Sequence, residues 1–435
     1  LLPQGKTTVF KAQLRILPSV AFISAFLNNT PVVVIFAPII KHWAKSVNLP
    51  ATKFLIPLSY VTILGGICTL IGTSTNLVVH GMILEAGFEG FSMFELGKVG
   101  IFIAIAGIIY IFLFSKRLLP DARPDTAVPD EEVEEGEKLH RVEAVLGARF
   151  PGINKKLKDF NFQRHYGAEV KEIKTRNGQR FVSNLEEVVL HEGDTLVVMA
   201  DDTFIPTWGE SSVFVLLTNG NEPDTTGKKK RWFALLLLVL MIVGATVGEL
   251  PITKEMFPDI KLDMFFFVSI TTIIMAWTNL FPARKYTKYI SWDILITIAC
   301  AFAISKAMVN SGVADSVAKF IIGLSDDYGP HVLLAMVFII TNLFTELITN
   351  NAAAALAFPL ALSISAQLGV SPTPFFVVIC MAASASFSTP IGYQTNLIVQ
   401  GIGNYKFTDF VRIGLPLNII TFLISIILIP LIWNF

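Results

Sequence analysis

The hydrophobic pattern near the start of the chain has a polar break between two apolar runs. Leu14 to Leu27 leads into the break, Val32 to Ile40 leads out of it, and the residues at the break are Phe26-Leu27-Asn28-Asn29-Thr30-Pro31. Each run is shorter than the roughly 20 apolar residues of a spanning helix, and backbone leaves a helix at bilayer depth only where protein or water surrounds it. The pattern predicts a re-entrant helical hairpin with a binding site at its tip. The alternative is one helix kinked at Pro31, whose asparagines bond neighbouring helices.

The same pattern returns in the second half of the chain. His331 to Ile348 leads to Thr349-Asn350-Asn351, and the apolar run Ala352 to Leu360 follows. After each hairpin comes an apolar run with a polar interruption, at Gly72-Thr73-Ser74-Thr75-Asn76 and at Gly392-Tyr393-Gln394-Thr395-Asn396. Because these features recur in the same order at nearly the same spacing, we interpret the halves as two copies of one unit.

The charges of the loops orient the two copies. Lys6 and Lys11 precede the first hairpin and Lys41 and Lys45 follow it, which places both of its ends in the cytoplasm by the positive-inside rule. By the count of spans, the second hairpin enters from outside, so the copies are predicted to be inverted-topology repeats, as in many secondary transporters. The other spans are predicted at Val99 to Phe114, Trp232 to Val247, Met264 to Phe281, Ile294 to Val309 and Gly414 to Trp433, with a surface or short packing helix at Gly312 to Leu324.

Between Lys116 and Arg231 the long apolar runs stop. An acidic, Pro-rich stretch predicts a solvated linker over 118–138, and strand-like runs predict a small soluble unit over 139–202. A second linker over 203–231 follows. The predicted fold is therefore an all-α polytopic membrane protein with two re-entrant hairpins, formed by residues 1–117 and 232–435, and a small α/β cytoplasmic insert. The candidate strands are Arg141 to Ala148, Ala168 to Lys174 and Asp194 to Ala200, with a turn at Arg176-Asn177-Gly178.

Composition supports a membrane protein and excludes several other classes. The 435 residues are 53% hydrophobic and 16% charged, and the mean hydropathy is +0.62. The formal net charge is zero, which gives no electrostatic support for a nucleic-acid partner. The three cysteines lack metal spacing, and no catalytic triad or metal constellation is apparent, so we expect neither an enzyme nor an organic cofactor.

The repeat also predicts a longer complete protein. The second copy has three spans ahead of its hairpin, whereas the first has only residues 1–13. We expect on the order of 100 further residues before Leu1, forming the corresponding helices.

The polar breaks carry the candidate chemistry. Half-helix N-termini present N–H groups to an anion, while unwound carbonyls coordinate Na⁺. The tips hold no Lys or Arg, so an anion there would be held by dipoles, neutral groups and co-bound cations. Ser24 and Thr345 would supply oxygen to cation sites, and Gly72 and Gly392 would admit carbonyls closely. Glu346, beside the second tip, is either functional or an acceptor for nearby backbone. The candidate substrate-binding residues are Asn28, Asn29, Thr30, Thr73, Thr349, Asn350, Asn351 and Tyr393.

The stretch Ala383-Ser384-Ala385-Ser386-Phe387-Ser388-Thr389-Pro390-Ile391-Gly392-Tyr393-Gln394-Thr395-Asn396-Leu397-Ile398-Val399 resembles the signature of the divalent anion:sodium symporter family, the sodium:sulfate and dicarboxylate symporters. The resemblance implies substrate contacts from the tip and break residues. It also implies an elevator-type movement of the hairpin-carrying domain and a homodimer within the lipid membrane. The implied Na⁺ sites surround Ser24, Asn29 and Gly72, and Thr345, Asn350 and Gly392.

Two departures from that family bear on the substrate. Neither tip keeps the family's Ser-Asn-Thr, and Tyr393-Gln394 stands where dicarboxylate carriers tend to have Thr-Pro. The bulkier tyrosine favours a smaller oxyanion, so the leading hypothesis is sodium-coupled import of sulfate. The alternatives are a sodium/dicarboxylate symporter, a ligand-gated anion channel and an anion sensor.

The insert resembles a different module. Leu139 to Leu146, Phe150-Pro151-Gly152, Lys156 to Asp159 and Leu190 to Met199 are similar to the RCK C-terminal (TrkA-C-like) domain. This resemblance implies a regulatory role with a small ligand. The alternative is a purely structural insert.

Overall fold

The computed structural model describes most of the chain. The described residues are 7–121, 139–147, 149–175, 179–201, 204–208, 213–218, 228–248, 251–256, 262, 264–280, 292–323 and 329–435. The turn predicted at Arg176-Asn177-Gly178 and nearly all of the linker predicted over 118–138 lie outside these residues.

Helices form the two ends of the chain, and a small sheet lies between them in sequence. The first helices are α1 Val9–Ser24, α2 Asn29–Ser46, α3 Leu55–Gly66, α4 Ser74–Glu85 and α5 Gly97–Leu118. The middle elements are β1 His140–Leu146, α6 Phe162–Tyr166, β2 Glu169–Lys174, β3 Arg180–Phe181, β4 Thr195–Ala200, α7 Phe204–Trp208 and β5 Phe214–Thr218. The last helices are α8 Lys228–Gly248, α9 Pro251–Met256, α10 Met264–Trp277, α11 Trp292–Asn310, α12 Val313–Gly323, α13 Gly329–Leu347, α14 Asn350–Leu368, α15 Thr373–Ser384, α16 Gln394–Gly403 and α17 Phe407–Ile432.

Four of the described helices are long and apolar enough to cross a membrane: α5, α13, α14 and α17. The exposed side chains in the middle of α5 and of α17 are apolar as well. In α17 an exposed apolar stripe recurs at every fourth residue, which is the spacing of one helix face. Its members, each half exposed or more, are Leu415, Ile419, Leu423, Ile427 and Leu431.

Both predicted tips and both predicted interruptions are breaks between helices. The chain leaves the helix between Ser24 and Asn29, and again between Leu347 and Asn350. Because Pro31 lies in the first turn of α2, it does not kink a continuous helix. Gly66 ends α3 before Ser74 begins α4, and Ser384 ends α15 before Gln394 begins α16.

The two halves also share hydrogen bonds at these breaks. The Ser24 hydroxyl donates to the Thr62 carbonyl at 2.9 Å, and in the second half Thr345 donates to the Ala383 carbonyl at 2.7 Å. Three more bonds recur in the same way, so the sequence similarity extends to local structure. The pairs are Thr69 to the Ala25 carbonyl and Thr389 to the Glu346 carbonyl, the Gly72 amide to Thr69 and the Gly392 amide to Thr389, and Asn76 to the Thr69 carbonyl and Asn396 to the Thr389 carbonyl.

The middle elements form one antiparallel sheet in the order β3-β2-β4-β1-β5. All three strands predicted from the sequence are present, with ends that differ by at most two residues. Strand β5 comes from the stretch predicted as a linker over 203–231, so the sheet extends beyond residue 202. The reason is aromatic packing: Phe214 is buried and contacts Phe150 and Tyr166 in the insert's own core.

Candidate functional site

The tip between α1 and α2 contacts the break before α16. The Asn29 amide lies 2.7 Å from the Tyr393 hydroxyl, and the Thr30 hydroxyl donates to Gln394 Oε1 at 3.3 Å. Asn29 is 1% exposed and Tyr393 is 5% exposed, so their contact is shielded from solvent. The first residues of α2 and α16 therefore meet, although they are far apart in the sequence.

The tip between α13 and α14 contacts the break before α4 in the corresponding way. Asn350 Nδ2 donates to Thr75 Oγ1 at 2.8 Å, and Asn351 Oδ1 accepts from Ser74 at 3.1 Å and from Thr75 at 3.3 Å. Thr75 is fully buried and Asn351 is nearly so. Each of the two breaks that precede α2 and α14 thus bonds to the break of the other half, before α16 and α4 respectively.

One further contact joins the two pairs. Thr73 Oγ1 lies 2.8 Å from the Tyr393 hydroxyl, immediately before α4 begins. The first turns of α2, α4, α14 and α16 are therefore connected by side-chain hydrogen bonds. Helix N-termini carry a partial positive charge and free N–H groups, which favours an anion near them.

A group of oxygen atoms surrounds Asn29 on its other side. One end of its amide lies 2.8 Å from Ser24 Oγ, 2.8 Å from the Thr62 carbonyl oxygen and 3.3 Å from the Gly72 carbonyl oxygen. With its nitrogen at that end, the amide donates to these oxygens; with its oxygen there, it completes an oxygen cluster of the kind that binds Na⁺. Gly66 and Gly72 allow the approach, since a Cβ on Gly72 would lie 2.5 Å from the Gly66 carbonyl oxygen.

The second half contains a related group of oxygens. A Cβ on Gly392 would collide with the Thr345 carbonyl oxygen and Ser386 Oγ, and Ser386 Oγ itself lies 3.3 Å from that carbonyl. Thr345 and Ser386 are both fully buried. The structure therefore brings predicted cation-site residues Thr345 and Gly392 together, whereas the Asn350 side chain bonds toward α4.

Glu346 adds a carboxylate beside this second group. Its Oε1 accepts from the Ser388 amide at 2.9 Å and from Asn418 Nδ2 at 2.6 Å, and its Oε2 lies 3.4 Å from Ser386 Oγ. All three partners are donors, and both carboxylate oxygens act as acceptors. In the described part of the chain, no basic side chain forms an ion pair with it. The corresponding residue of the first half is Ala25, so the halves differ in charge here.

Two predicted residues lie at the edge of the site. Asn28 and Thr349 occupy the N-cap positions of α2 and α14, and neither side chain makes a capping hydrogen bond. Three site residues were missed from the sequence: Ser74, Thr75 and Gln394. The sequence did indicate these residues, because each is polar and lies in the first turn of a helix that follows a break. Polar side chains in those turns lie close to the site residues at the breaks.

Comparison with known proteins identifies the family. The family model described as citrate transporter, CitMHS, matches residues 5–369 and also 260–435. The chain belongs to the citrate transporter family. An uncharacterized transporter of Synechocystis sp. is 30% identical over 94% of this chain and 81% of that protein. An uncharacterized transporter of Escherichia coli is 25% identical over 96% of this chain and 84% of its own length. Sodium/sulfate cotransporter 2 of Chlamydomonas reinhardtii is 31% identical over 64% of this chain and 31% of that protein.

Membership in the citrate transporter family and the four membrane-length helices together make this an integral membrane transporter. The predicted class of protein, a membrane transporter, is thereby confirmed, and the three relatives above are all named as transporters.

Proposed function

We propose that this protein is a sodium-coupled importer of a divalent oxyanion, most specifically sulfate. The observation that carries the proposal is the connection of four helix N-termini, those of α2, α4, α14 and α16, through the hydroxyl and amide groups of both tips and both breaks. Each N-terminus contributes partial positive charge and N–H donors. A dianion is the ligand that such an arrangement stabilises best.

The neutral character of the site supports cation coupling. The side chains that connect the four helix starts are all neutral: those of Asn29, Thr73, Thr75, Asn350 and Tyr393. A dianion bound there needs compensating charge, which a cation among the oxygens around Asn29 would supply. Carbonyl and hydroxyl oxygens are the ligands that unwound helices offer to Na⁺ in transporters. The Chlamydomonas relative named as a sodium/sulfate cotransporter is consistent with this coupling.

Tyr393 favours a compact substrate. Its ring fills space between the two halves, and its hydroxyl is held between Asn29 and Thr73. Sulfate fits such a centre with four oxygens directed at donors on all sides, whereas a dicarboxylate requires room for its carbon chain. The family description, citrate transporter, nevertheless supports a second candidate, a sodium/dicarboxylate symporter. A competition panel of sulfate, thiosulfate, succinate and citrate separates the two by which anion displaces labelled sulfate.

The shared hydrogen bonds of the two halves support the transport mechanism. Inverted repeats with two re-entrant hairpins place a substrate site near the bilayer midplane, between two related bodies. We infer that the body carrying both tips moves as a unit past the remaining helices in an elevator-type motion within a homodimer. The insert lies on the cytoplasmic side in this arrangement, where its regulatory ligand would bind.

A binding measurement tests the site directly. Purified protein should bind labelled sulfate in sodium buffer and lose most of that binding when choline replaces sodium. Asn29→Ala and Asn350→Ala should each abolish binding while the protein keeps its size-exclusion profile. Tight sulfate binding by both variants would move the site elsewhere, and equal binding in choline would remove the sodium coupling.

A further inference from the structure

The sheet of the insert has a second buried face. Side chains alternate across a strand, so Val142, Ala144 and Leu146 of β1 face the insert's own core, whereas Glu143 and Val145 face the opposite way. Opposite these two residues, the neighbouring strands contribute further buried side chains to the second face. Those side chains, each 4% exposed or less, are Glu172, Lys174, Thr195 and Val197. A face this well buried has a covering surface.

Helix α2 forms one part of that surface. Lys41 Nζ lies 3.2 Å and 3.1 Å from the two carboxylate oxygens of Glu143, and Lys174 Nζ of the neighbouring strand lies 3.4 Å from the same carboxylate. The Glu143 side chain is 19% exposed, so the ion pair is sheltered more than a typical surface pair. Partly buried ion pairs are screened less by salt than exposed ones.

Helix α16 forms the other part. A Cβ on Gly401 would lie 2.6 Å from Thr195 Oγ1 and 3.3 Å from the Gly193 carbonyl oxygen, so the sheet approaches this helix as closely as glycine permits. One turn earlier in α16, the Leu397 side chain would lie 3.3 Å from a Cβ on Gly193. Val145 packs in the same hydrophobic cluster as the transmembrane helices.

These two helices begin at the candidate site. Helix α2 starts with Asn29, and α16 starts directly after Tyr393, whose hydroxyl contacts the Asn29 amide. The sheet therefore contacts the later turns of both helices whose first residues form half of the site. A rigid helix transmits a displacement along its length, because its turns are connected by backbone hydrogen bonds.

We propose that the part of this face carrying Glu143, Val145 and Thr195 is a docking surface for α2 and α16, which fixes their relative position and so controls transport through the Asn29–Tyr393 contact. The Lys41–Glu143 ion pair is the polar connection of this surface. The control of transport rests on the proposed function, whereas the docking of the sheet on α2 and α16 does not depend on it.

Substitutions at Lys41 test the proposal in the full-length protein. Lys41→Glu places two carboxylates against each other, whereas Lys41→Arg keeps the charge and can bond both carboxylate oxygens. In Lys41→Glu, hydrogen exchange over 193–199 and 397–401 should rise and sodium-driven uptake should fall, each about fivefold, as expected for one coupled contact. Lys41→Arg should keep both hydrogen exchange and uptake at the wild-type level. Lys158→Glu breaks the exposed Lys158–Glu187 pair inside the insert and should change neither measurement.

The two readouts separate the possible failures. Unchanged exchange in Lys41→Glu would overturn the docking surface. Raised exchange with unchanged uptake would overturn its control of transport. Exchange over 150–166, in the insert's own core, should stay constant; a rise there would mean that the insert had unfolded, and Lys41→Ala, which removes the attraction without adding repulsion, then decides by the same two readouts. If the wild-type protein shows no sodium-driven uptake, the proposed transport function is wrong. The hydrogen-exchange measurement would still show whether the sheet docks on α2 and α16.

Discussion

The Tyr393 hydroxyl is the group on which both halves of the site converge. It contacts Asn29 of the first tip and Thr73 of the first break, at 2.7 Å and 2.8 Å. A hydroxyl both donates and accepts, so it can serve the two partners together. Sequence reasoning selected Tyr393 as a polar residue of the second break, whereas its role as the connection between halves depends on a long-range contact that no local pattern contains.

Tyr393→Phe should weaken sulfate uptake while leaving the protein folded. The variant leaves two polar partners without their hydrogen bonds, at about 1 kcal/mol each, so we expect a KM increase of roughly thirtyfold. Sulfate uptake over a concentration series measures it. Tyr110→Phe is the matched control, because it removes a tyrosine hydroxyl that bonds the Ile413 carbonyl away from the site. Equal KM values for Tyr393→Phe and the wild type would contradict the assignment.

Glu346→Gln should alter the response to sodium while keeping the stability close to that of the wild type. The Ser388 amide and Asn418 both donate to Oε1, and the oxygen of a glutamine can accept from both at that position. The melting temperature should therefore change little. The sodium concentration for half-maximal uptake should rise, since a negative charge beside the oxygens of Thr345 and Ser386 is lost. Glu85→Gln, at the exposed end of α4, serves as the control; a Glu346→Gln protein with the same sodium dependence as this control would show that the charge of Glu346 has no role.

At the scale of elements, the interrupted helices were predictable and their partners were not. Polar residues inside apolar runs marked all four breaks, because exposed backbone and amides are costly at bilayer depth. The pairing of each tip with the other half's break is a product of packing between distant segments. Strand β5 was missed for a similar reason: Phe214–Thr218 is short, and its pairing with β1 and its contacts with Phe150 and Tyr166 form only in the folded insert.

The end of α3 and the break before α4 lie so close together that adding one methyl group at Gly72 should disturb the site. In Gly72→Ala, the new Cβ would lie 2.5 Å from the Gly66 carbonyl oxygen and 2.8 Å from the Gly66 Cα. The backbone must shift, which would disperse the oxygens around Asn29 and reduce sodium-dependent sulfate binding at least about tenfold, since misplacing such groups by about 1 Å is costly. Gly81→Ala in α4 is the control, because its Cβ meets only Phe302 at 3.6 Å. Equal sodium dependence in the two variants would place the cation elsewhere.

At the scale of the whole molecule, the insert is part of the transporter body. Its sheet shares buried surface with α2 and α16, so a soluble unit recognised from its strands is also a packing partner of the membrane helices. The sequence predicted the unit and its three main strands, but it left open whether the insert is regulatory or structural. The alternation of Glu143 and Val145 with core residues was a signal of a second covered face, although only the fold shows what covers it.

The Lys41–Glu143 ion pair of this surface should stabilise the fold over a defined pH range. Burial acts to raise the pKa of Glu143, but the ammonium groups of Lys41 and Lys174 outweigh it and lower the pKa to about 2. Because the folded-state pKa lies below that of an unfolded glutamate, near 4.3, the contribution to stability is complete above about pH 5 and is lost as the pH falls toward about 2.

Glu143→Gln reveals that contribution. The melting temperature of the wild type should exceed that of the variant by a constant amount from pH 8 to pH 5, and the gap should shrink below about pH 4. Lys41 and Lys174 are the ammonium groups that contact Glu143. A gap that stays constant down to pH 3 would contradict the ion-pair account.

The central claim is that four connected helix starts bind a dianion together with sodium and carry it across the membrane. Uptake of labelled sulfate into proteoliposomes, with an inward sodium gradient or with choline, tests it most directly. We predict accumulation above the equilibrium level only with the sodium gradient, and none in Asn29→Ala or Asn350→Ala. Sulfate accumulation of equal size in choline, or undiminished accumulation in both variants, would contradict the account.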